Sequence, residues 1–346
     1  MARILLQIGL PTRARRVHAC VACESRGRAS PRHIAACGCA AQSYMAAEKA
    51  YALEGCADDL RTDGRSRLDY RPLSVELGLF AQAGGSARVR MGGADVIVGV
   101  TAELSEPDAA TPEEGRILVS VDYSRGGGAA AGLPDYGGAH SDDALLWLEA
   151  ALQPIYAHES VAETLRSLCI VAGAQCWQLR VHAQLVGCDG CPLDAISLGV
   201  KAALHNTRVP KAVVASGDGG AAGGAQLDLD LDESLDESVA FDAAALPLYV
   251  TLATLGEHAV ADCTVTERRA AGSALSLALD PQGRVCAVRG GGGFGINLAQ
   301  LADAMQTARY LATGLLKAAQ AAIEEAAQQA EAAGSTDCAL SFARAV

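Results

Sequence analysis

The sequence predicts an α+β fold in which helices pack on mainly antiparallel sheets. Three observations support this prediction. Strand-like segments follow one another with short turns between them, as in Leu73–Ala81, Ala87–Met91 and Val96–Leu104. Helical periodicity is confined to a few longer segments, of which the last begins near Asn297. Short strand–helix–strand units, which build parallel sheets, are few, so helices are expected to cover antiparallel sheets.

The first half of the chain is predicted to hold a short helix, an antiparallel meander and two further helices. The short helix covers Ala46–Asp59, and Gly84-Gly85 and Gly92-Gly93 mark turns within the meander. Apolar residues at helical spacing predict helices over Ser141–Ala157 and Pro192–His205, the second with proline where a first turn tolerates it. The meander is predicted to end with a fourth strand at Ile117–Tyr123, and further strands are predicted at Leu168–Val171 and Cys176–Val186.

The second half is predicted to contain four strands and a long closing helix. Asn297 caps this helix, its apolar stripe runs from Leu298 to Ile323, and Gly334 is a natural stop. A Gly/Ala tract with six acidic residues at 217–237 is predicted to be a solvated loop, because it lacks the spacing of a calcium loop. The strands are predicted at Leu248–Leu255, Ala259–Thr264, Ala274–Leu279 and Val285–Val288.

Charge is distributed unevenly along the chain. Residues 1–50 contain eight Lys/Arg but only Glu24 and Glu48, whereas the remainder holds 20 of the 28 basic and 38 of the 40 acidic residues. The formal net charge of −12 argues against indiscriminate nucleic-acid binding but allows a local basic patch. No apolar run reaches the length of about 20 residues that a membrane helix needs, so no membrane partner is predicted.

Residues 1–45 are predicted to be a disordered, basic, Cys-rich extension, because they lack apolar periodicity. A transit peptide or a non-native extension of the coding sequence would have this composition. A zinc site is an alternative, since Cys20 and Cys23 have suitable spacing, but Cys37 and Cys39 do not, and no metal or other cofactor is predicted. The complete set of possible zinc ligands is His18, Cys20, Cys23, His33, Cys37 and Cys39.

The 12 cysteines are interpreted mainly as buried free thiols. A chain of 346 residues is large enough to form a core without disulfide bonds, and no secretory signal is evident. Cys188 and Cys191 span a turn with the spacing of a redox motif, but no second pair accompanies them.

Several segments resemble the RNase PH family. RTDGRSRLDYRPLSVELG, GSARVRMGGADVIVGVTAEL and EEGRILVSVDYS resemble the opening of that family. Later segments, including CDGCPLDAISLGVKAALHNTRVPKAVV and LPLYVTLATLGEHAVADCTVTE, resemble its exosome ring subunits more narrowly. The resemblance runs in order from about Leu53 to Leu316.

This resemblance implies an RNase PH-like fold, also described as ribosomal protein S5 domain 2-like. The expected organisation is an N-terminal half at 46–215, an acidic Gly/Ala-rich loop at 216–240, a C-terminal half at 241–333 and a tail at 334–346. The resemblance also implies a ring with other RNase PH-like subunits, S1/KH cap subunits above it, and single-stranded RNA passing through a shared channel.

The resemblance further implies that the phosphorolytic site is degenerate. Active relatives surround a DGGTRTA-like turn with arginines, a hydroxyl residue and aspartates, which hold phosphate and protonate the leaving oxygen. The matching turn here starts at Asp189, and the threonine and arginine positions carry Pro192 and Leu193. Asp194 is interpreted as an early-helix acid favoured by the helix dipole, and His182, at a strand position for aspartate, as a packed, hydrogen-bonded residue.

Arginines upstream of this turn are the candidate RNA contacts. Those between Arg61 and Arg71 are interleaved with Asp63 and Asp69, so the sequence leaves open ion pairs within or between chains and contacts with RNA phosphates. A shared side of one strand is predicted for Arg88 and Arg90. The predicted RNA-binding residues are Arg61, Arg65, Arg67, Arg88 and Arg90.

The resemblance and the degenerate turn together imply a non-catalytic ring subunit of the eukaryotic RNA exosome, with nuclease activity supplied by a separate subunit. A divergent phosphorolytic 3′-exoribonuclease of the RNase PH type is the alternative. The expected location is the nucleus, including the nucleolus, and the cytoplasm. An organellar location is expected only if residues 1–45 are a genuine transit peptide.

Overall fold

The computed structural model describes residues 38–124, 141–215, 228–231, 238–292 and 297–332. The helices are α1 Gly38–Ala57, α2 Ser141–Leu152, α3 Ala162–Arg166, α4 Pro192–His205, α5 Val265–Ala270 and α6 Leu298–Ala332. The strands are β1 Leu73–Leu77, β2 Gly85–Met91, β3 Ala94–Ser105, β4 Arg116–Tyr123, β5 Cys169–Val171, β6 Gln175–Gly187, β7 Arg208–Val209, β8 Ala212–Ala215, β9 Asp228–Leu231, β10 Val239–Ala240, β11 Leu248–Leu255, β12 His258–Ala261, β13 Ser273–Leu279 and β14 Val285–Gly292. The predicted α+β class is therefore confirmed.

The first sheet has the order β1-β2-β3-β6-β4, with β5 also paired to β6. Antiparallel pairing joins β1, β2 and β3 as predicted, but the predicted four-strand meander is wrong at its end. β6 lies between β3 and β4, and β4 pairs with it in parallel. Alternating apolar residues identify each strand but do not specify with which other strand it pairs.

The second large sheet has the order β12-β11-β13-β14, and every pair in it is antiparallel. Two small sheets pair β7 with β10 and β8 with β9. The predicted acidic loop is therefore partly wrong, since Asp228–Leu231 and Val239–Ala240 are strands. Leu and Asp alternate at 227–232, which is a period-two strand pattern that the charge run obscured.

Helix α4 lies between the two sheets and organises the core. It contacts β2, β3 and β11, and every residue from Pro192 to Leu204 is buried. Gly199 permits this approach, because a Cβ atom there would lie 2.9 Å from Val98 Cγ2 of β3. The long helix α6 contacts β1 of the first sheet and β11 and β13 of the second. One apolar cluster therefore spans both sheets.

The helix ends differ from the predictions for local reasons. α1 begins at Gly38 rather than Ala46, so the end of the predicted disordered extension is helical. α2 ends at Leu152, and a 3-10 helix follows at Gln153–Ala157, where Pro154 lies in the first turn. Asn297 caps α6 as predicted, since its Oδ1 accepts a hydrogen bond from Gln300 N at 2.7 Å. The predicted stop at Gly334 lies outside the described residues.

No helix within the described ranges is both long and apolar enough to cross a membrane.

Candidate functional site

The arginine-rich segment 61–71 connects α1 to β1 and packs against the link between β12 and α5. Arg61 donates two hydrogen bonds to Glu267, from Nε to Oε1 at 2.9 Å and from Nη2 to Oε2 at 2.6 Å. Its guanidinium also donates to the carbonyl oxygens of Ala261 and Asp262. Both charged side chains are buried, with 0% and 2% exposure. Burial alone would raise the pKa of Glu267, but the bonds from Arg61 hold it below its ordinary value.

Arg71 joins two carboxylates from distant parts of the chain. Its Nε and Nη2 donate to Oδ2 and Oδ1 of Asp262 at 2.8 and 2.5 Å. Its Nη1 donates to Oδ2 of Asp189, while Oδ1 of Asp189 accepts the backbone N–H of Val265 at 2.9 Å. Both oxygens of the Asp189 carboxylate are thus engaged. Asp262 is fully buried with a φ of +44°, a left-handed conformation that aspartate tolerates better than most residues.

Arg65 and Arg67 lie nearer the surface. The Nε of Arg65 donates to Oδ2 of Asp63 at 2.7 Å, and its Nη1 donates to Oδ2 of Asp262 at 3.1 Å. The Nε of Arg67 donates to Oδ1 of Asp59 at 2.9 Å. The side chains of Arg65 and Arg67 are 13% and 31% exposed, so only the second retains a substantial solvent-facing surface.

We call this set of ion pairs the arginine–carboxylate network. Its members are Arg61, Arg65, Arg67, Arg71, Asp59, Asp63, Asp189, Asp262 and Glu267. The network favours the ion-pair interpretation of the arginine run over the phosphate interpretation. Arg61 in particular is too deeply buried in this structure to contact an external phosphate.

Asp194 is buried in the first turn of α4. Its Oδ2 accepts the N–H of Thr251 at 2.9 Å, and its Oδ1 accepts the Thr251 hydroxyl at 2.5 Å. That hydroxyl also lies 2.9 Å from the hydroxyl of Ser276. Burial raises the pKa of Asp194 to about 7, although the bonds from Thr251 oppose this shift. Asp194 therefore ties α4 to β11.

The turn from Asp189 to Pro192 is closely packed. Gly190 has a φ of +79°, and a Cβ atom there would lie 1.8 Å from the carbonyl oxygen of Cys263. Pro192 and Leu193 are both buried, and Leu193 has no exposed surface. The two positions where the resemblance implies hydroxyl and guanidinium groups thus contribute apolar packing to the core.

His182 lies on the outer face of the first sheet. Its Nδ1 lies 2.7 Å from Oγ of Ser120 on the neighbouring strand β4. The prediction of a hydrogen-bonded residue is confirmed, but the prediction of a packed one is wrong because the side chain is exposed. Alternation along β6 explains this result, since Val181 and Ala183 face the core and His182 faces outward.

Arg88 and Arg90 also occupy the outer face of the first sheet, as the alternation predicts. The Nη2 of Arg88 lies 2.6 Å from Oδ2 of Asp95, and the Nη1 of Arg90 lies 3.2 Å from Oε1 of Glu76. Their charges are therefore partly compensated within the sheet. Contacts of Arg65, Arg67, Arg88 and Arg90 with RNA stay predictions.

Residues 69–210 match the family model described as 3′ exoribonuclease family, domain 1, also called RNase PH. These residues are an RNase PH domain. The match begins at Asp69, two residues before Arg71, and includes the Asp189 turn and α4. Asp262 and Glu267, to which the arginines bind, lie beyond the matched range.

Several curated relatives of this chain are named as exosome proteins. A Dictyostelium discoideum protein with the provisional name exosome complex exonuclease RRP42 is 22% identical over 82% of this chain and 99% of its own length. The exosome complex component Rrp42 of Pyrococcus furiosus is 29% identical over 80% of this chain and 94% of its own length. The predicted resemblance to exosome ring subunits is confirmed by these relatives.

Solved structures confirm the RNase PH-like fold. A chain of an Archaeoglobus fulgidus exosome with RNA bound to the active site is 25% identical, has a TM-score of 0.64, and aligns over 79% of this chain and 98% of its own. A chain of an archaeal exosome core, at 24% identity and a TM-score of 0.62, shares the fold.

Three residues that belong to or adjoin the arginine–carboxylate network were missed from sequence: Asp262, Thr264 and Glu267. One signal was available, because Thr264 and Glu267 have the spacing of a capping box before a short helix. The N–H of Thr264 donates to Oε2 of Glu267 at 2.8 Å, and the Thr264 hydroxyl accepts the Glu267 N–H. The predicted strand Ala259–Thr264 is correspondingly too long, since β12 ends at Ala261.

The strand predicted at Val285–Val288 is too short. Gly290 to Gly292 extend β14 and pair with β13. Nearby, Arg289 donates from Nη2 to the carbonyl oxygen of Ala150 at 2.7 Å. The described residues contain no group of three or more His, Cys, Asp and Glu side chains placed to hold a metal ion. The zinc hypothesis concerns side chains outside that described set.

Proposed function

We propose that the chain is a non-catalytic ring subunit of a eukaryotic RNA exosome, supporting 3′-to-5′ RNA processing and degradation. Relatives named as exosome components support this proposal, as do the chains from solved exosomes. The Dictyostelium relative aligns over 99% of its length, so the similarity extends well beyond the catalytic turn.

The observation that carries the proposed lack of catalysis is the state of the Asp189 turn. Phosphorolysis needs cationic donors for phosphate and a carboxylic acid free to protonate the leaving oxygen. Here the carboxylate of Asp189 is bound by Arg71 and by the Val265 N–H. Leu193 is buried where the resemblance implies an arginine, so no guanidinium is supplied there. The turn is suited to structural ion pairing.

A phosphorolysis assay tests this proposal directly. Purified protein is incubated with single-stranded RNA and inorganic phosphate, and nucleoside diphosphates are measured. We expect no release above the background. Release that Asp189→Ala abolishes and Asp69→Ala preserves would instead establish the alternative, a divergent phosphorolytic 3′-exoribonuclease. Asp69 is a suitable control because it is exposed and its carboxylate contacts only the Ser66 N–H among its bonds within the described chain.

The proposed partners are other RNase PH-like ring subunits, S1/KH cap subunits and single-stranded RNA in a shared channel. Arg67, Arg88 and Arg90 are the candidate RNA contacts that retain exposed surface. Affinity purification from cells should recover RNase PH-like chains together with S1/KH proteins. Recovery of the chain without any of them would contradict the proposal. We further propose a nuclear, nucleolar and cytoplasmic location, which imaging of the tagged full chain can check.

A further inference from the structure

Two buried thiols face each other beside the arginine–carboxylate network. The Sγ atoms of Cys191 and Cys263 lie 3.2 Å apart, and the two residues are 1% and 0% exposed. Cys191 immediately precedes α4, whereas Cys263 lies in the link between β12 and α5. The pair therefore bridges the same two segments that Arg71 joins through Asp189 and Asp262.

The distance between the thiols requires only a small movement for bond formation. A disulfide has an S–S distance of about 2.05 Å, so the sulfur atoms must approach by roughly 1.2 Å. The backbones are already in close contact, because the position of a Cβ on Gly190 would lie 1.8 Å from the carbonyl oxygen of Cys263.

Residues 47–57 of helix α1 pack beside the thiol pair with few buried side chains. Ala52 and Cys56 pack in the same small apolar cluster as Cys191 and Cys263. Within residues 47–57, where side chains are described, only Ala52 and Cys56 are buried. An element with so few buried contacts is expected to open locally before the rest of the fold. Opening of α1 would expose the two sulfur atoms to small reagents.

We propose that Cys191 and Cys263 are a disulfide-forming site, which closes when α1 opens in the presence of a peroxide. The hydrogen bond with Cys263, together with burial, raises the pKa of the Cys191 thiol, so the reactive thiolate is scarce while α1 is closed. Oxidation thus reports local opening of this region.

The reaction balances with hydrogen peroxide as the oxidant. The thiolate of one cysteine attacks a peroxide oxygen, the O–O bond breaks, and a sulfenic acid and one water are formed. The second thiolate attacks the sulfenic sulfur, forming the S–S bond and releasing the oxygen as a second water. The two sulfur atoms are oxidised, peroxide is reduced, and the two thiol protons end in the waters.

Neighbouring cysteines provide competing outcomes. Cys188 has the spacing of a redox motif with Cys191, and burial raises the pKa of its thiol to about 12, just as burial and Cys263 raise the pKa of Cys191. Cys56 lies in the same apolar cluster. Cys169 of β5 and Cys176 of β6 lie opposite each other in the strand register as free thiols, and they form a matched control away from the network.

Mass spectrometry of the full chain tests the proposal. The protein is treated with hydrogen peroxide, alkylated with N-ethylmaleimide, digested and analysed with and without dithiothreitol. We expect a reducible peptide linking Cys191 to Cys263, absent in Cys191→Ser and unchanged in Cys169→Ser. We also expect the Tm of the oxidised protein to rise by about 5 °C.

A second variant distinguishes slow access of peroxide to the thiols from an incorrect choice of cysteine pair. Ala52→Glu places a charge beneath α1 and should accelerate formation of the linked peptide by roughly tenfold. The proposal is overturned if this variant and the unmodified sequence both lack the Cys191–Cys263 peptide. It is also overturned if the principal linkage joins Cys191 to Cys188 or to Cys56.

Discussion

Arg61 is a guanidinium whose charge is compensated entirely by protein groups. Two hydrogen bonds reach Glu267, and two more reach the backbone carbonyl oxygens of Ala261 and of the fully buried Asp262. Removing an ion pair from water costs several kcal/mol per ion, and the attraction between the partners roughly offsets this cost. The pair itself thus contributes modest net stability, whereas the loss of one partner leaves a buried charge without compensation.

Replacing Arg61 with methionine is therefore expected to destabilise the fold by about 3–5 kcal/mol, because Glu267 loses its partner in the interior. The measurement is the free energy of unfolding from urea titration. Arg67→Met is the matched control, since Arg67 belongs to a more exposed pair with Asp59 and should change the stability far less. Equal losses in the two variants would show that burial does not determine the effect.

Asp194 gives the stability a specific pH dependence. Its pKa is raised from 3.8 to about 7, because the folded protein buries the carboxyl group. The folded state then binds the proton more tightly than the unfolded chain, so the contribution of Asp194 to stability is greatest at low pH. This contribution falls as the pH rises from about 4 to about 7.

Replacing Asp194 with asparagine should remove that fall. The test compares urea midpoints of the two proteins at several pH values from 4 to 8, using their difference so that other titrating groups cancel. We expect the native sequence to lose stability relative to Asp194→Asn across this interval. A difference that is independent of pH would exclude titration of Asp194 as the cause.

At the scale of elements, the six-residue helix α5 depends on its first turn. Helices this short are marginal on propensity alone, so capping and packing must stabilise them. Thr264 and Glu267 form a capping box, and Glu267 also receives the two bonds from Arg61. The same carboxylate thus caps the first turn of α5 and holds the segment that precedes β1.

Thr264→Ala should destabilise the protein by about 1 kcal/mol, since it removes the side-chain acceptor for the Glu267 N–H. Thr264→Ser keeps a hydroxyl group and should retain most of the stability. Thermal unfolding of the three proteins measures both effects. If serine and alanine are equally destabilising, the methyl group of Thr264, rather than its oxygen, is what matters.

For the whole molecule, sequence patterns predicted elements better than their arrangement. The bounds of α4 and β11 agree fully with periodicity, because a long apolar segment between turn residues admits few alternatives. The position of β4 beside β6 was not predictable, since pairing depends on long-range packing. Similarly, the interleaved Asp63 pairs with Arg65, but the carboxylates bound to Arg61 and Arg71 lie far along the chain.

The sequence named residues of the candidate site but did not predict their geometry. The resemblance marked Pro192 and Leu193 as departures from an active turn that retains Asp189. It did not indicate that Arg71 binds the remaining aspartate, because 118 residues separate the two partners. Short-range spacing reveals capping boxes and turns, whereas ion pairs of this kind become evident only when the fold brings their segments together.

The pair formed by Arg61 and Glu267 has a consequence for how the chain can change over generations. The two residues are separated by 206 positions and lie on opposite sides of the RNase PH domain, yet neither charge can be lost alone without a large penalty. We therefore expect a substitution at one position to be accompanied by a compensating substitution at the other. One buried contact thus makes two positions that are distant in the sequence depend on each other.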